Sequence, residues 1–80
     1  MSYKKIKMTR YFSESVLTKR PEFLTMEDEI ISIIDHPSKV EIQADGRKKI
    51  FGRSKNGKWI RVILERDQIH NVFYDSNFKL

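Results

Sequence analysis

Length, charge and cysteine content exclude several classes of protein. The chain has 80 residues, of which 16 are basic and 11 acidic, with a net charge of +5 and no cysteine. A chain of this length forms a single domain, residues 1–80, with one small core. Because cysteine is absent and His36 and His70 lack metal-ligand spacing, we expect no disulfide, no metal and no cofactor.

The charge balance favours phosphate-rich or acidic partners. No apolar run approaches the roughly 20 residues that a membrane span requires. The first five residues, MSYKK, lack the apolar region of a signal peptide. We therefore expect a cytoplasmic protein that does not contact membranes.

Two helices are predicted in the first half of the chain. Residues 1–10 alternate weakly among lysines, which is typical of either a frayed tail or an edge strand. Ser13 predicts the N-cap of a short helix, with Val16 and Leu17 buried, that ends before Pro21. A second helix is predicted over residues 25–35.

Thr25 is the expected N-cap of this second helix, and Pro37 stops it. Apolar residues recur at helical spacing along it: Met26, Ile30, Ile31, Ile33 and Ile34. We expect this apolar side to pack on a sheet.

Four antiparallel strands are predicted in the second half. Val40 and Ile42 mark the first strand, and Asp45-Gly46 is a hairpin turn after it. Residues 47–53, 58–66 and 69–75 are the next three strands. The predicted fold is α+β, with two helices on one face of a four-stranded sheet, or a five-stranded one if residues 1–10 add a strand.

Turn lengths predict which side chains share a face. A three-residue loop at 55–57 sets Phe51 opposite Arg61, and a two-residue turn at 66–67 sets Val72 opposite Arg61. The expected helix-facing residues are Ile50, Gly52, Ile60, Val62, Leu64, Ile69, Asn71 and Phe73. The expected open face carries Arg47, Lys49, Phe51, Arg53, Trp59, Arg61, His70 and Tyr74. An open sheet face that is basic and aromatic favours single-stranded RNA, because cations bind phosphates and rings stack on bases.

Nucleic-acid binding is therefore predicted at Arg47, Lys49, Phe51, Arg53 and Trp59. Metal-free RNA cleavage needs a proton-transfer group and a cation that offsets the charge developing on the phosphate. His70 is the candidate for the first role and Arg61 for the second, with Tyr74 as a substitute acid or base.

Non-enzymatic interpretations of the same residues remain open. The basic residues also suit a module that binds an acidic protein partner, or an ordinary solvated surface. Trp59 and Tyr74 also fit a cross-strand aromatic pair, and Trp59 with its neighbours fits a domain that assembles with itself.

Several motifs resemble one family. They are YFSESVL at residues 11–17, the Arg20-Pro21 pair, the helix from Thr25, QADGR at residues 43–47, and HNVFYDSNF at residues 70–78. Together they resemble the BrnT-like branch of the RelE-type toxin superfamily over residues 10–78. The resemblance implies a ribonuclease with two helices against an antiparallel sheet, a site on the open face, and an antitoxin-like partner. Related families often open the first helix with histidine where this chain has Ser13-Glu14, so a non-catalytic relative stays an alternative.

Overall fold

The structure, a computed structural model, describes residues 7–79. Most of the predicted tail or edge strand over residues 1–10 therefore lies outside the described residues. The elements in chain order are a π-helical segment Phe12–Val16, α1 Leu17–Lys19, α2 Glu22–Thr25, α3 Glu27–Asp35, β1 Lys39–Ile42, β2 Lys48–Arg53, β3 Trp59–Glu65 and β4 Gln68–Tyr74.

The four strands form one antiparallel sheet in the order β1-β2-β3-β4, with the helices packed on one face. This confirms the predicted α+β architecture. Gly46 and Gly57 take the positive φ angles of 91° and 87° that close the first two hairpins. The strand bounds agree with the sequence prediction to within one residue.

The core lies between the helices and the sheet. Its helical members are Phe12, Val16, Phe23, Ile30 and Ile33, and its sheet members are Ile50, Ile60, Val62, Leu64, Ile69 and Val72. At Gly52 the helix α3 approaches the sheet closely, since a Cβ there would lie 2.7 Å from Ile33 Cγ1. Gly52 therefore allows α3 to contact β2 directly.

The predicted caps of both helices are wrong. Thr9, not Ser13, caps the first helical segment, because its Oγ1 accepts the Phe12 N–H at 3.2 Å. The Ser13 hydroxyl instead donates to the Arg10 carbonyl at 3.3 Å. Thr25 lies inside α2, and its hydroxyl donates to the Glu22 carbonyl. Thr25 therefore does not cap α3, whose N-cap residue is Met26.

The predicted pairing of β2 with β3 is confirmed, with Phe51 opposite Arg61 and Arg53 opposite Trp59. The predicted pairing of β3 with β4 holds only beside the turn. Leu64 is opposite Ile69, but Ile63 is opposite Asn71, so His70 is an extra residue in a β-bulge.

The bulge exchanges the faces of the second half of β4, which corrects the sequence prediction. Val72 and Tyr74 lie on the helix side, whereas Asn71 and Phe73 lie on the open face. The physical reason is burial: the bulge puts Val72 in the core at 1% exposure and keeps the Asn71 amide out of it. Six of the eight predicted helix-facing residues are buried, and Asn71 and Phe73 are not.

The two outer strands differ in how they are covered. The free side of β4 meets the chain before the first helix, where Met8 forms a parallel bridge with Ile69. The Thr9 N–H donates to the Ile69 carbonyl, and the Ile69 N–H donates to the Lys7 carbonyl, both at 2.9 Å. The outer side of β1 has no such neighbour among residues 7–79.

Between residues 7 and 79, no helix combines the length and the apolar character needed to cross a membrane.

Two substitutions that each add one hydroxyl test the bulge. We expect Val72→Thr to lower the free energy of unfolding by about 1–3 kcal/mol, because it places a hydroxyl in the core. Phe73→Tyr should change it by less than about 0.5 kcal/mol, because its ring lies on the open face. Urea unfolding of both variants measures the difference, and the reverse order of costs would mean that β4 pairs without the bulge.

Candidate functional site

The open face is the side of the sheet that the helices do not cover. Strand pairing places twelve residues on it: Lys39, Glu41, Lys49, Phe51, Arg53, Trp59, Arg61, Ile63, Glu65, Gln68, Asn71 and Phe73. Asp75, directly after β4, continues the same alternation. This surface contains most of the residues predicted to bind nucleic acid.

An ion pair between Arg61 and Asp75 lies at the centre of the open face. Arg61 Nε donates to Asp75 Oδ2 at 3.1 Å, and Nη2 contacts the same oxygen. The Asp75 side chain is only 9% exposed. The hydrogen bond from Arg61 holds the pKa of Asp75 below its ordinary value, although burial opposes this, and the Arg61 charge and the N–H groups of Asn77 and Phe78 add to the lowering.

Two phenylalanine rings hold the Arg61 guanidinium from either side. Its Cζ atom lies 5.3 Å from the Phe51 ring centroid and 4.9 Å from the Phe73 centroid. Both distances are within the range of cation–π attraction. The Asp75 carboxylate and the two rings therefore fix Arg61, whose Nη1 group takes no part in the ion pair.

The segment after β4 folds back onto the open face. The Asn77 N–H donates to Asp75 Oδ1 at 3.1 Å, and the Phe78 ring then stacks on Phe51, with centroids 4.3 Å apart and planes 12° apart. Phe78 also meets the edge of Trp59 at 4.8 Å. Phe78 therefore packs against the domain, and Phe51 is only 3% exposed.

A shallow groove of about 310 Å³, here called the basic groove, runs beside this segment. It is lined by Lys39, Glu41, Lys49, Phe51, Arg61, Asp75, Asn77, Phe78 and Lys79. Lys39 pairs with Glu41 at 3.2 Å, and Arg61 pairs with Asp75. Within the described part of the chain, Lys49 and Lys79 have no carboxylate partner, so the groove carries excess positive charge.

Arg53 and Trp59 lie together at the end of the sheet near the second hairpin. Arg53 Cζ is 4.6 Å from the Trp59 ring centroid. Trp59 also contacts Phe78. Arg53 and Trp59, both predicted to bind nucleic acid, therefore lie on the open face, but the Trp59 ring is partly covered by these two neighbours.

His70 and Arg47 belong to a separate group, here called the histidine cluster, with Thr9, Tyr11 and Glu65. His70 Nδ1 lies 3.1 Å from Thr9 Oγ1 and 3.5 Å from Glu65 Oε1. Glu65 Oε2 accepts a hydrogen bond from Arg47 Nη2 at 3.3 Å. The Tyr11 ring centroid is 4.9 Å from that of His70.

Tyr74 lies on the helix side of the sheet. Its hydroxyl contacts Met26 Sδ at 3.6 Å, and its ring packs against Phe23 with centroids 5.5 Å apart. The structure therefore does not bring the predicted catalytic residues together: Arg61 is in the basic groove, His70 in the histidine cluster and Tyr74 against the core.

Sequence reasoning missed several members of both groups. Lys39 and Lys79 line the basic groove, and Thr9 and Tyr11 contact His70. The position of Lys39 could have been predicted from the sequence. The three-residue turn at 44–46 fixes the register of β1 against β2, and this register places Lys39 opposite Phe51. Neither Thr9 nor Tyr11 has a local sequence signal, because their contacts with His70 span about 60 residues.

Comparisons of this chain with protein-family models, with curated proteins and with solved structures find no match.

The lowered pKa of Asp75 predicts a loss of stability in acid. Because the folded pKa is below the unfolded value of about 3.9, the unfolded chain binds more protons between the two values, and stability falls as the pH falls through the folded pKa. We expect Asp75→Asn to be less stable than the parent at pH 6, with a difference that shrinks below about pH 4. Urea unfolding from pH 2 to 7 measures this. A difference independent of pH would mean that the charge of Asp75 does not stabilise the fold.

Proposed function

We propose that the open face binds single-stranded RNA, and that the basic groove holds its phosphates. The observation that carries the proposal is the grouping of Lys49, Lys79 and Arg61 in one groove, where neither lysine forms an ion pair within the described chain. Glu41, which lies opposite Lys49, pairs with Lys39 instead. Unpaired cations on one surface attract a phosphate backbone and release its counterions.

Arg61 supplies the orientation that the lysines lack. Lysine acts as a flexible point charge, whereas a guanidinium presents donors in a fixed plane. Asp75 and the rings of Phe51 and Phe73 hold that plane in place, so Arg61 is ordered before a ligand arrives. Preorganisation of this kind reduces the entropy lost on binding.

The shape of the site favours a single strand over a duplex. The groove is a shallow depression on an open sheet face, and a flexible single strand follows such a surface more readily than a rigid duplex does. The resemblance to BrnT-like ribonucleases supports RNA rather than DNA as the ligand, and an acidic antitoxin-like protein as its competitor.

Base stacking contributes less than the sequence predicts. Phe78 covers Phe51, and Arg53 and Phe78 contact Trp59, so the rings of the open face make internal contacts. Binding by this surface is therefore mainly electrostatic, with weak sequence preference.

Two double variants test the role of the groove with the net charge held equal. Lys49→Ala/Lys79→Ala should weaken binding of a single-stranded RNA and reduce the slope of log K against log salt by about 1.4, because two phosphate contacts are lost. Lys19→Ala/Lys55→Ala removes the same charge outside the groove and should keep the parental slope. Fluorescence anisotropy over a salt series measures both.

Equal losses in the two double variants would show that only net charge matters. Parental binding in both would contradict the proposal. Strong binding of an acidic polypeptide with no binding of RNA would favour the protein-binding alternative.

We propose RNA cleavage at the histidine cluster as a second candidate function. Thr9 and Glu65 contact His70 at Nδ1, and Arg47 lies on the other oxygen of Glu65. Within residues 7–79, Nε2 of His70 makes no hydrogen bond, so we assign proton transfer to it. In this arrangement Nε2 accepts the proton of a 2′-hydroxyl, and the 2′-oxygen attacks the adjacent phosphorus to form a 2′,3′-cyclic phosphate. The bond from phosphorus to the 5′-oxygen breaks, and the 5′-oxygen takes a proton from solvent water as it leaves. Arg47 offsets the charge on the phosphate.

Substitution of His70 tests this candidate. His70→Gln should lower the rate of cleavage by about 10²–10⁴-fold, because general acid–base catalysis is lost, and the parent should keep its activity in a metal chelator. His36→Gln, which changes the other histidine, is the control and should keep the parental rate. Gel analysis of labelled RNA measures the rates. No cleavage by the parent, or equal rates in the two variants, would contradict catalysis at His70.

A further inference from the structure

Strand β1 exposes two apolar side chains on the helix side of the sheet. Val40 is 46% exposed and Ile42 is 72% exposed. Val40 is opposite Ile50, which is 4% exposed and belongs to the core. The core layer therefore continues onto β1, but among the described residues the helices do not cover it there.

The backbone of β1 is also unpaired on its outer side. The Gln43 N–H donates to the Arg47 carbonyl at 2.7 Å, which makes these two a hydrogen-bonded pair. Such pairs alternate along antiparallel strands, so Lys39 and Glu41 direct their backbone groups towards β2. The N–H and C=O groups of Val40 and Ile42 consequently point outwards, at an edge that no described segment covers.

We infer that a second copy of this chain pairs with β1 in antiparallel orientation, with Val40 opposite Val40 of the partner subunit. The two sheets then join into one of eight strands. The exposed apolar side chains of both copies lie on the same side of the joined sheet, because a two-fold axis perpendicular to the sheet keeps the faces aligned. This inference does not depend on RNA binding.

Charge selects this register over its neighbours. Registers centred on Lys39, Val40, Glu41 or Ile42 all keep the apolar side chains on one face, and they differ in which residue lies opposite its own copy. With Lys39 at the centre two ammonium groups face each other, and with Ile42 at the centre Glu41 lies opposite the partner's Gln43 and meets no cation. With Val40 at the centre, Lys39 lies opposite the partner's Glu41, and Glu41 lies opposite the partner's Lys39. With Glu41 at the centre, two carboxylates face each other, which destabilises the pairing.

Hydrogen bonding is compatible with the selected register. The outward groups of Val40 meet those of Val40 of the partner subunit, and the Ile42 N–H meets the partner's Ser38 carbonyl. The Ser38 N–H already donates to the Phe51 carbonyl at 2.8 Å, so it forms no hydrogen bond with the partner subunit. The edge thus offers a short set of bonds whose specificity comes from the Lys39 and Glu41 side chains.

Charge reversal tests the inference. Sedimentation equilibrium up to about 1 mM protein should show a concentration-dependent dimer of the parent. Lys39→Glu and Glu41→Lys, made singly, should each raise the dimer Kd by about 5-fold or more, because two attractive pairs become repulsive. Lys39→Glu/Glu41→Lys should return the Kd to within about 2-fold of the parent, because the pairs are attractive again.

Lys19→Glu reverses the same charge on α1 and serves as the control, with the parental Kd expected. Val40→Asp should abolish the dimer while circular dichroism shows the parental fold. A parent that stays monomeric throughout would overturn the inference and leave β1 to a different protein. A dimer that is insensitive to both single reversals, or that the double reversal fails to restore, would place the interface elsewhere.

Discussion

The bulge at His70 is the constraint on which the rest of the open face depends. One extra residue in β4 moves every later side chain of that strand to the opposite face. It sends Tyr74 to the helix side and brings Phe73 and Asp75 to the side of Arg61. The central ion pair exists because of this shift.

The position of Asp75 in turn determines the path of the following segment. Its carboxylate accepts the Asn77 N–H, and the resulting turn brings Phe78 onto Phe51. One carboxylate thus holds both Arg61 and the segment that covers the aromatic ring. The centre of the open face is organised around this ion pair, with the rings of Phe51 and Phe73 packed beside the Arg61 guanidinium.

This arrangement separates the cations proposed to bind phosphate from the histidine proposed to transfer a proton, which the sequence pattern assigns to one site. The basic groove contains cations but no histidine among its lining residues. The histidine cluster contains the His70 imidazole, held through Nδ1 and accompanied by Arg47. Binding and cleavage are therefore separable proposals, each dependent on different residues.

Much of the fold follows from the sequence because its local signals agree. Gly46 and Gly57 specify two of the turns, and the alternation of β2 and β3 specifies their faces. The sequence carries one indication of the bulge, which is the polar Asn71 on the predicted apolar face. Turn length alone does not predict where a bulge lies.

The contacts of His70 are harder to predict. They depend on Thr9 and Tyr11, which reach β4 only after the first helix has packed on the sheet. The sequence therefore groups the site residues on β2 and β3 correctly, whereas it places Tyr74 on the wrong face and does not reveal the neighbours of His70.

A nitrogen-15 NMR titration with a single-stranded RNA tests the central claim most directly. Binding in the basic groove predicts that chemical shifts change first at Lys49, Lys79 and the Arg61 Nε–H, and that the changes diminish as salt is raised. Signals from α3 should stay in place. Changes confined to the helix side, or no changes at low salt, would contradict the assignment of RNA binding to the open face.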